Sequence, residues 1–226
     1  MATRYPAVIF DVDGTLVESN DAHARAWVDA LTEAGYPVDL DRIRRMIGMG
    51  GDRIVEAVTG TDRDARRTRK ITERRSQIFC ARYLPSVAAL PGARALVSTL
   101  RGDGRKLAIA SAARAGELEP LLHRAGIATL VPARTSSSDV DESKPDPEIV
   151  CAALARLGTP ARGTVMIGDT PYDVAAANGA GVATIGVTSG GWSRDELIGA
   201  GAIAVYRDPA DLLAHRDRSP LARDAR

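Results

Sequence analysis

Short apolar runs alternate with amphipathic stretches along most of this chain. Ala7-Val8-Ile9-Phe10, Lys106-Leu107-Ala108-Ile109-Ala110, residues 129–133, Thr164-Val165-Met166-Ile167, 182–187 and 202–205 have the length and composition of buried strands. Between them, Gly92 to Leu100, Gly116 to Ala125, a segment from about Glu148, and an alanine-rich segment closed by Gly179 and Gly181 read as helices. This alternation predicts a parallel sheet with helices on both faces. The stretch between the first two strands has a different rhythm. Asp21 to Ala34 places Ala26, Trp27, Ala30 and Leu31 on one helical face and stops at Gly35. Short helices are predicted over Asp39 to Met46 and Asp52 to Val58, around Gly48-Met49-Gly50-Gly51, and a long one from Asp62 to about Tyr83. Pro85 and Pro91 bracket the return to the strand pattern, and no internal repeat is present. The charged end from His215 to Arg226, with Pro220, is expected to be disordered.

The polar residues at the strand ends carry the chemistry. Asp11-Val12-Asp13-Gly14-Thr15 follows the first strand, and open α/β sheets place ligands beyond the carboxyl ends of their strands. Two carboxylates one residue apart repel each other and are costly to bury unpaired, which points to a bound hard cation such as Mg²⁺. The second strand ends in Ser111, whose hydroxyl and neighbouring backbone N–H groups suit a phosphate. In Ser143-Lys144-Pro145-Asp146-Pro147, the following proline biases Lys144 to an extended conformation, from which one ammonium can neutralise carboxylate and phosphoryl charge together. The strand at 164–167 ends in Gly168-Asp169-Thr170-Pro171-Tyr172-Asp173, adding two more acids. Thr170 and Asp173 have capping-box spacing and Pro171 suits a first helical residue, so Asp173 can start a helix and bind a ligand at once.

These four stations, in this order and over nearly the whole chain, resemble the haloacid dehalogenase-like hydrolases, in particular the branch of phosphoglycolate phosphatases and β-phosphoglucomutases. The resemblance implies a doubly wound, Rossmann-like α/β core of residues 1–16 and 88–214 with an inserted α-helical cap domain at 17–87; about seventy-five residues separate Leu16 from Pro91. It implies Asp11 as the nucleophile, Asp13 as general acid and base, and an aspartyl-phosphate intermediate. It further implies Mg²⁺ held by Asp11, Asp169, Asp173 and the backbone carbonyl of Asp13. Lys144, Ser111 and the N–H groups of Asp13, Gly14 and Ala112 would hold the phosphoryl oxygens. The expected partner is a small phosphorylated metabolite. Asp13 is absent from the dehalogenase and phosphonatase members, so its presence favours phosphate esters. The mutase branch carries an arginine where this chain aligns Gly51, which makes a phosphomutase the second reading. A noncatalytic family member that binds a phosphorylated ligand is the third.

In the insert, Arg63 to Arg75 is strongly basic, with Arg66, Arg67, Arg69, Lys70 and Arg74 inside the run and Asp64 and Glu73 interleaved. A solvated helix face is the commoner meaning of such a pattern, with Arg74 or Arg75 the candidate to turn inward to a substrate anion. Arg53 is a second candidate substrate contact. His23 and Trp27, one turn apart, are expected to pack or position the linker. Composition changes this picture little. A formal net charge of +1, with 45% hydrophobic and 26% charged residues, is that of a globular chain and gives no reason to expect nucleic acid. No apolar run approaches a membrane span, and the start Met1-Ala2-Thr3-Arg4-Tyr5-Pro6 is not a secretory segment, so a cytoplasmic protein, monomeric or a weak homodimer, is expected. Cys80 and Cys151 lack metal-ligand spacing and are expected to be reduced and inert.

Overall fold

A computed structural model describes residues 4–63 and 65–223 of the chain. Among these residues six strands form one parallel sheet: β1 (Ala7–Phe10), β2 (Lys106–Ala110), β3 (Ala133–Thr135), β4 (Thr164–Gly168), β5 (Ala183–Val187) and β6 (Ala204–Tyr206). Their order is β3-β2-β1-β4-β5-β6, so the chain winds outward from β1 to one edge and then outward from β4 to the other. The point of reversal lies between β1 and β4, where such sheets open a crevice at their carboxyl ends. Both β1 and β4 are buried throughout, which is why their sequences are continuously apolar rather than alternating.

The two faces of β1 still sort by parity. Val8 and Phe10 join Leu107, Ile109, Val165 and Ile167 under Leu96, Leu100, Leu118 and Leu121 of helices α5 (Ala93–Gly102) and α6 (Ala115–Arg124). Ala7 and Ile9 face the other way, with Ala108, Ala110 and Met166, against Ile149, Val150, Ala153, Ala176 and Ala177 of α7 (Glu148–Leu157) and α8 (Pro171–Gly179). The helices α9 (Arg194–Ala200) and α10 (Pro209–Ala214) cover the β5–β6 end.

Between β1 and α5 lie α1 (Asn20–Glu33), α2 (Leu40–Arg44), α3 (Gly51–Thr59) and α4 (Arg66–Ile78), the last running into a π-helical turn over Phe79–Tyr83. The long helix expected over 62–83 therefore exists as an α-helix with a π turn at its end. Trp27, Leu31, Ile43, Ile47, Ile54, Val55 and Ile71 enclose an apolar cluster of their own. The helix α1 serves both clusters: Ala24, Trp27 and Leu31 point into the insert, whereas Ala26 and Ala30 pack with Phe79 into the main core. The single apolar stripe expected from sequence is thus two adjoining stripes. The chain enters and leaves the insert side by side, because Glu18 N–H donates to Ala88 O at 2.9 Å, Leu90 N–H donates to Leu16 O at 3.0 Å, and Val17 and Ala89 form an antiparallel bridge.

Two expectations are corrected. The strand expected at 129–133 begins only after Pro132, while Val131 is a buried loop anchor, so an apolar run marked burial without marking the ladder. The C-terminal segment is not disordered through residue 223. Leu221 is fully buried, and buried Arg105 donates to Tyr5 O and Leu221 O, tying the two ends of the described chain together. Residues 224–226 of that segment, the start Met1-Ala2-Thr3 and Asp64 lie outside the described residues. Cys80 and Cys151 are both unpaired and exposed, and partial burial together with the charge of Glu117 raises the Cys80 pKa, disfavouring its thiolate. No helix among the described residues is long and apolar enough to cross a membrane.

Candidate active site

The loops after β1 and β4 bring three carboxylates together. Asp11, Asp169 and Asp173 are buried and each offers an oxygen within 4.8 Å of the others. The two loops are joined at their base by Asp11 N–H, which donates to Ile167 O at 2.9 Å. Lys144, on the loop before α7, is 1% exposed and spends all three ammonium donors: on Asp11 Oδ1 at 2.7 Å, Asp173 Oδ1 at 2.8 Å and Ala110 O at 2.8 Å. Asp173 divides its oxygens. Oδ1 meets Lys144, while Oδ2 accepts from Thr170 Oγ1 and the N–H groups of Asp169 and Thr170, completing the capping box that starts α8. Asp169 accepts from Thr15 Oγ1 on one oxygen at 3.1 Å and from Asn20 Nδ2 on the other at 3.0 Å.

Charge in this cluster does not balance. Three carboxylates face one ammonium, and burial with the negative charge of Asp173 and Asp13 pushes the Asp11 pKa up to about 8 against the pull of Lys144. Burial and the charges of Asp173 and Asp11 likewise raise Asp169 well above the usual carboxylate range. Burial alone would lower the pKa of Lys144, but Asp11 and Asp173 outweigh it and raise it. With all three carboxylates ionised the cluster has an excess of two negative charges on hard oxygen donors, which suits a divalent cation. Asn20, whose Nδ2 donates to Asp169, also has a buried Oδ1 without a partner among the described residues. The residues present therefore fit a metal ion.

Asp13 lies in a different environment two residues away. Its carboxylate is not part of the three-acid cluster; Oδ1 accepts from Ser19 Oγ and is 2.8 Å from His23 Nε2. Burial pushes its pKa up, but the charge and hydrogen bond of His23, with Ser19 and Arg75, hold it below the usual range. His23 stacks on Phe79 with centroids 3.9 Å apart, and its Nδ1 lies 3.4 Å from Arg75 Nη1. Nε2 is the ring nitrogen that faces Asp13, and toward a carboxylate it donates. The expected packing role of His23 is thus joined by a direct bond to an acid of the site.

Of the two candidates to turn inward, it is Arg75 that does. Arg74 is exposed and pairs with Glu33, whereas Arg75 is 6% exposed, lies 4.9 Å from the Trp27 ring and pairs with Glu117 Oε2 at 2.7 Å. Glu117 belongs to α6 and is fully buried. Asp11, Asp13, His23, Trp27, Arg75 and Ala112 line a cavity between the sheet and the insert. Arg53 does not line it: its guanidinium is held by Glu142 and Ser143 in a bridge from α3 to the loop bearing Lys144. Ser111 is fully buried and its Oγ accepts from Ala113 N–H at 3.1 Å, leaving its hydroxyl proton to donate. The N–H groups of Asp13 and Ala112 find no carbonyl or side-chain acceptor among the described residues, but that of Gly14 donates to Val17 O at 2.8 Å. The expected Gly14 donor is therefore consumed inside its own turn. Glycine is required there because φ is +72° and a Cβ would stand 2.3 Å from Asp169 Oδ2. Gly51 likewise makes room, since a Cβ there would stand 2.7 Å from Trp27 Cζ2.

The sequence pattern of the haloacid dehalogenase-like hydrolases matches residues 8–187. A phosphoglycolate phosphatase of Rhodospirillum rubrum is 36% identical over 214 residues, covering 91% of this chain and 88% of its own. The crystal structure of a hydrolase from Pseudomonas syringae superposes with a TM-score of 0.86 at 33% identity, over 94% of this chain and 98% of that one. The structure of CbbY from Rhodobacter sphaeroides in complex with phosphate gives 0.77 at 26% identity, over 92% and 96%. Strand order, loop placement and sequence thus agree, and the chain belongs to the haloacid dehalogenase-like hydrolases.

Proposed function

We infer that this protein is a Mg²⁺-dependent phosphatase of a small phosphorylated metabolite, with residues 1–16 and 88–214 as its catalytic core and 17–87 as a cap that closes the substrate cavity. The observation that carries the reading is the pairing of two unlike acids at one cavity: Asp11 in the buried acid–lysine cluster, Asp13 beside it on a separate hydrogen-bond network. An Asp11 carboxylate oxygen attacks phosphorus, and the P–O bond to the leaving alkoxide breaks as Asp13 delivers a proton to that oxygen. Asp13 then takes a proton from water, whose oxygen attacks the aspartyl-phosphate and releases phosphate and free Asp11. Lys144, the Ser111 hydroxyl and the N–H groups of Asp13 and Ala112 hold the phosphoryl oxygens. Asp11, Asp169 and Asp173, with the Asp13 carbonyl, would hold Mg²⁺, which when bound neutralises charge and orients the phosphoryl group.

The arginine in the cavity wall is already neutralised by Glu117, so it offers no free charge to a second phosphoryl group. This supports hydrolysis over phosphoryl transfer between two positions of a sugar. Phosphate release from a panel of phosphoglycolate, hexose phosphates and nucleotides with Mg²⁺ tests the reading. Release from at least one substrate, abolished by EDTA, restored by Mg²⁺ and lost in Asp11→Asn, is the expected result; turnover that survives in Asp11→Asn would refute it.

A further inference from the structure

The first turn of α1 touches both acid loops, and its contact with Asp169 has no counterpart among the residues read from sequence. Asn20 is the first residue of that helix, yet its side chain reaches back into the sheet end. Its Nδ2 donates to Asp169 Oδ2 at 3.0 Å and to Gly190 O at 3.2 Å. Gly190 O can only accept, which fixes the amide with its nitrogen toward Gly190 and Asp169. Two glycines clear the space. A Cβ at Gly14 would stand 2.5 Å from Asn20 Nδ2, and one at Gly190 would stand 1.6 Å from Asp169 Oδ2. Two chain segments that are distant in sequence are thus cut back around one carboxylate oxygen so that a single amide can reach it. Thr15 Oγ1 supports the other oxygen at 3.1 Å, so the Asp169 carboxylate is pinned at both ends. Ser189 Oγ donates to Gly14 O at 2.6 Å and stitches the same loops together beside it.

We propose that Asn20 is a positioning residue for the metal ion: it orients the Asp169 carboxylate through Nδ2, while its own Oδ1 stays buried and without a partner among the described residues. The inference rests on the metal reading of the acid cluster. Outer partners of ligating carboxylates fix ligand orientation, and their loss weakens binding even though they never touch the ion. Asn20 is absent from the lining of the substrate cavity, so its effect falls on the ion rather than on the substrate. The amide also places the attachment of the insert in contact with the metal site, because Ser19 and His23 of the same turn hold Asp13.

The test is the dissociation constant for Mg²⁺ in the substrate-free protein, measured by isothermal titration calorimetry for wild type, Asn20→Ala and Asp169→Asn. Asn20→Ala is expected to weaken Mg²⁺ binding by about 10- to 100-fold. Its melting temperature in EDTA stays at the wild-type value, and KM for substrate at saturating Mg²⁺ is unchanged. Asp169→Asn abolishes binding. An unchanged Mg²⁺ dissociation constant in Asn20→Ala, with wild type binding normally, overturns the inference alone. Absence of Mg²⁺ binding in wild type overturns the metal reading and the inference with it. A lowered melting temperature in EDTA with an unaltered dissociation constant identifies a merely structural residue and also overturns it. If Asn20→Ala does not fold, Asn20→Leu, closer in volume and equally without an amide, is measured against the same outcomes.

Discussion

Asp11 and Asp13 are separated by one residue, but the two side chains are held by different parts of the molecule. Asp11 is bound by Lys144 and stands with Asp169 and Asp173, all on loops of the sheet end. Asp13 is bound by Ser19 and His23 of the insert's first helical turn, and through His23 it reaches Arg75 of α4. Their electrostatics diverge accordingly: burial among like charges raises one pKa, whereas His23 and its neighbours lower the other. The difference teaches that, in the proposed mechanism, the attacking group and the proton-transfer group are under separate control. The first depends on the sheet loops, the second on the seating of the insert.

The contrast is broken most severely at Asp11. Asp11→Asn, nearly isosteric, is expected to lower kcat by about four orders of magnitude or more, the scale of removing a covalent nucleophile, with the circular dichroism spectrum unchanged. Asp13→Asn should cost about 10²- to 10⁴-fold on an alkyl phosphate, the range of general acid–base catalysis. The loss in the burst of p-nitrophenol from p-nitrophenyl phosphate should be much smaller, since that leaving group needs no proton; equal losses on the two substrates would contradict the separation.

The third perturbation moves stability rather than chemistry. Glu117→Ala leaves Arg75 buried without its partner and is expected to destabilise the fold by about 3–5 kcal/mol in urea unfolding. The double variant Glu117→Leu, Arg75→Met should recover most of that loss, because an apolar pair needs no desolvation of charge. The smallest effect sharpens the contrast by pH. His23 holds the Asp13 pKa low, so the protonated form that gives its proton to the leaving oxygen is lost once the pH rises through that low value. In His23→Ala the Asp13 pKa rises, and the basic limb of kcat/KM moves to higher pH. A limb that stays in place would show that His23 does not govern Asp13.

Much of this arrangement was legible in the chain. Strand periodicity gave the parallel sheet, and acids immediately after apolar runs located Asp11 and Asp169 because strand ends in such sheets converge on one crevice, while the proline after Lys144 marked that residue. Thr170 and Asp173 showed their capping geometry directly in their spacing. What was not legible shares one cause: periodicity reports that a position is buried, not what it is buried against. Ala26 and Trp27 looked like one stripe and serve two clusters. Glu117 did leave a signal, a carboxylate on the same face as Leu118 and Leu121, but only the fold brings Arg75 to it across 42 positions. Arg53 had the charge for a substrate contact and spends it on Glu142, an acid 89 positions away. Leu221 followed a charged, proline-containing stretch whose composition concealed one apolar anchor.

The paired crossings at Leu16–Glu18 and Ala88–Leu90 have a consequence for how such a protein can diversify. Seen from the sheet, everything between them is a single loop whose two ends stay at a fixed, short separation. Its length and content can therefore change without disturbing any ladder bond of the six strands. A different insert can in principle stand on the same sheet, provided its first turn again grips Asp13 as Ser19 and His23 do here.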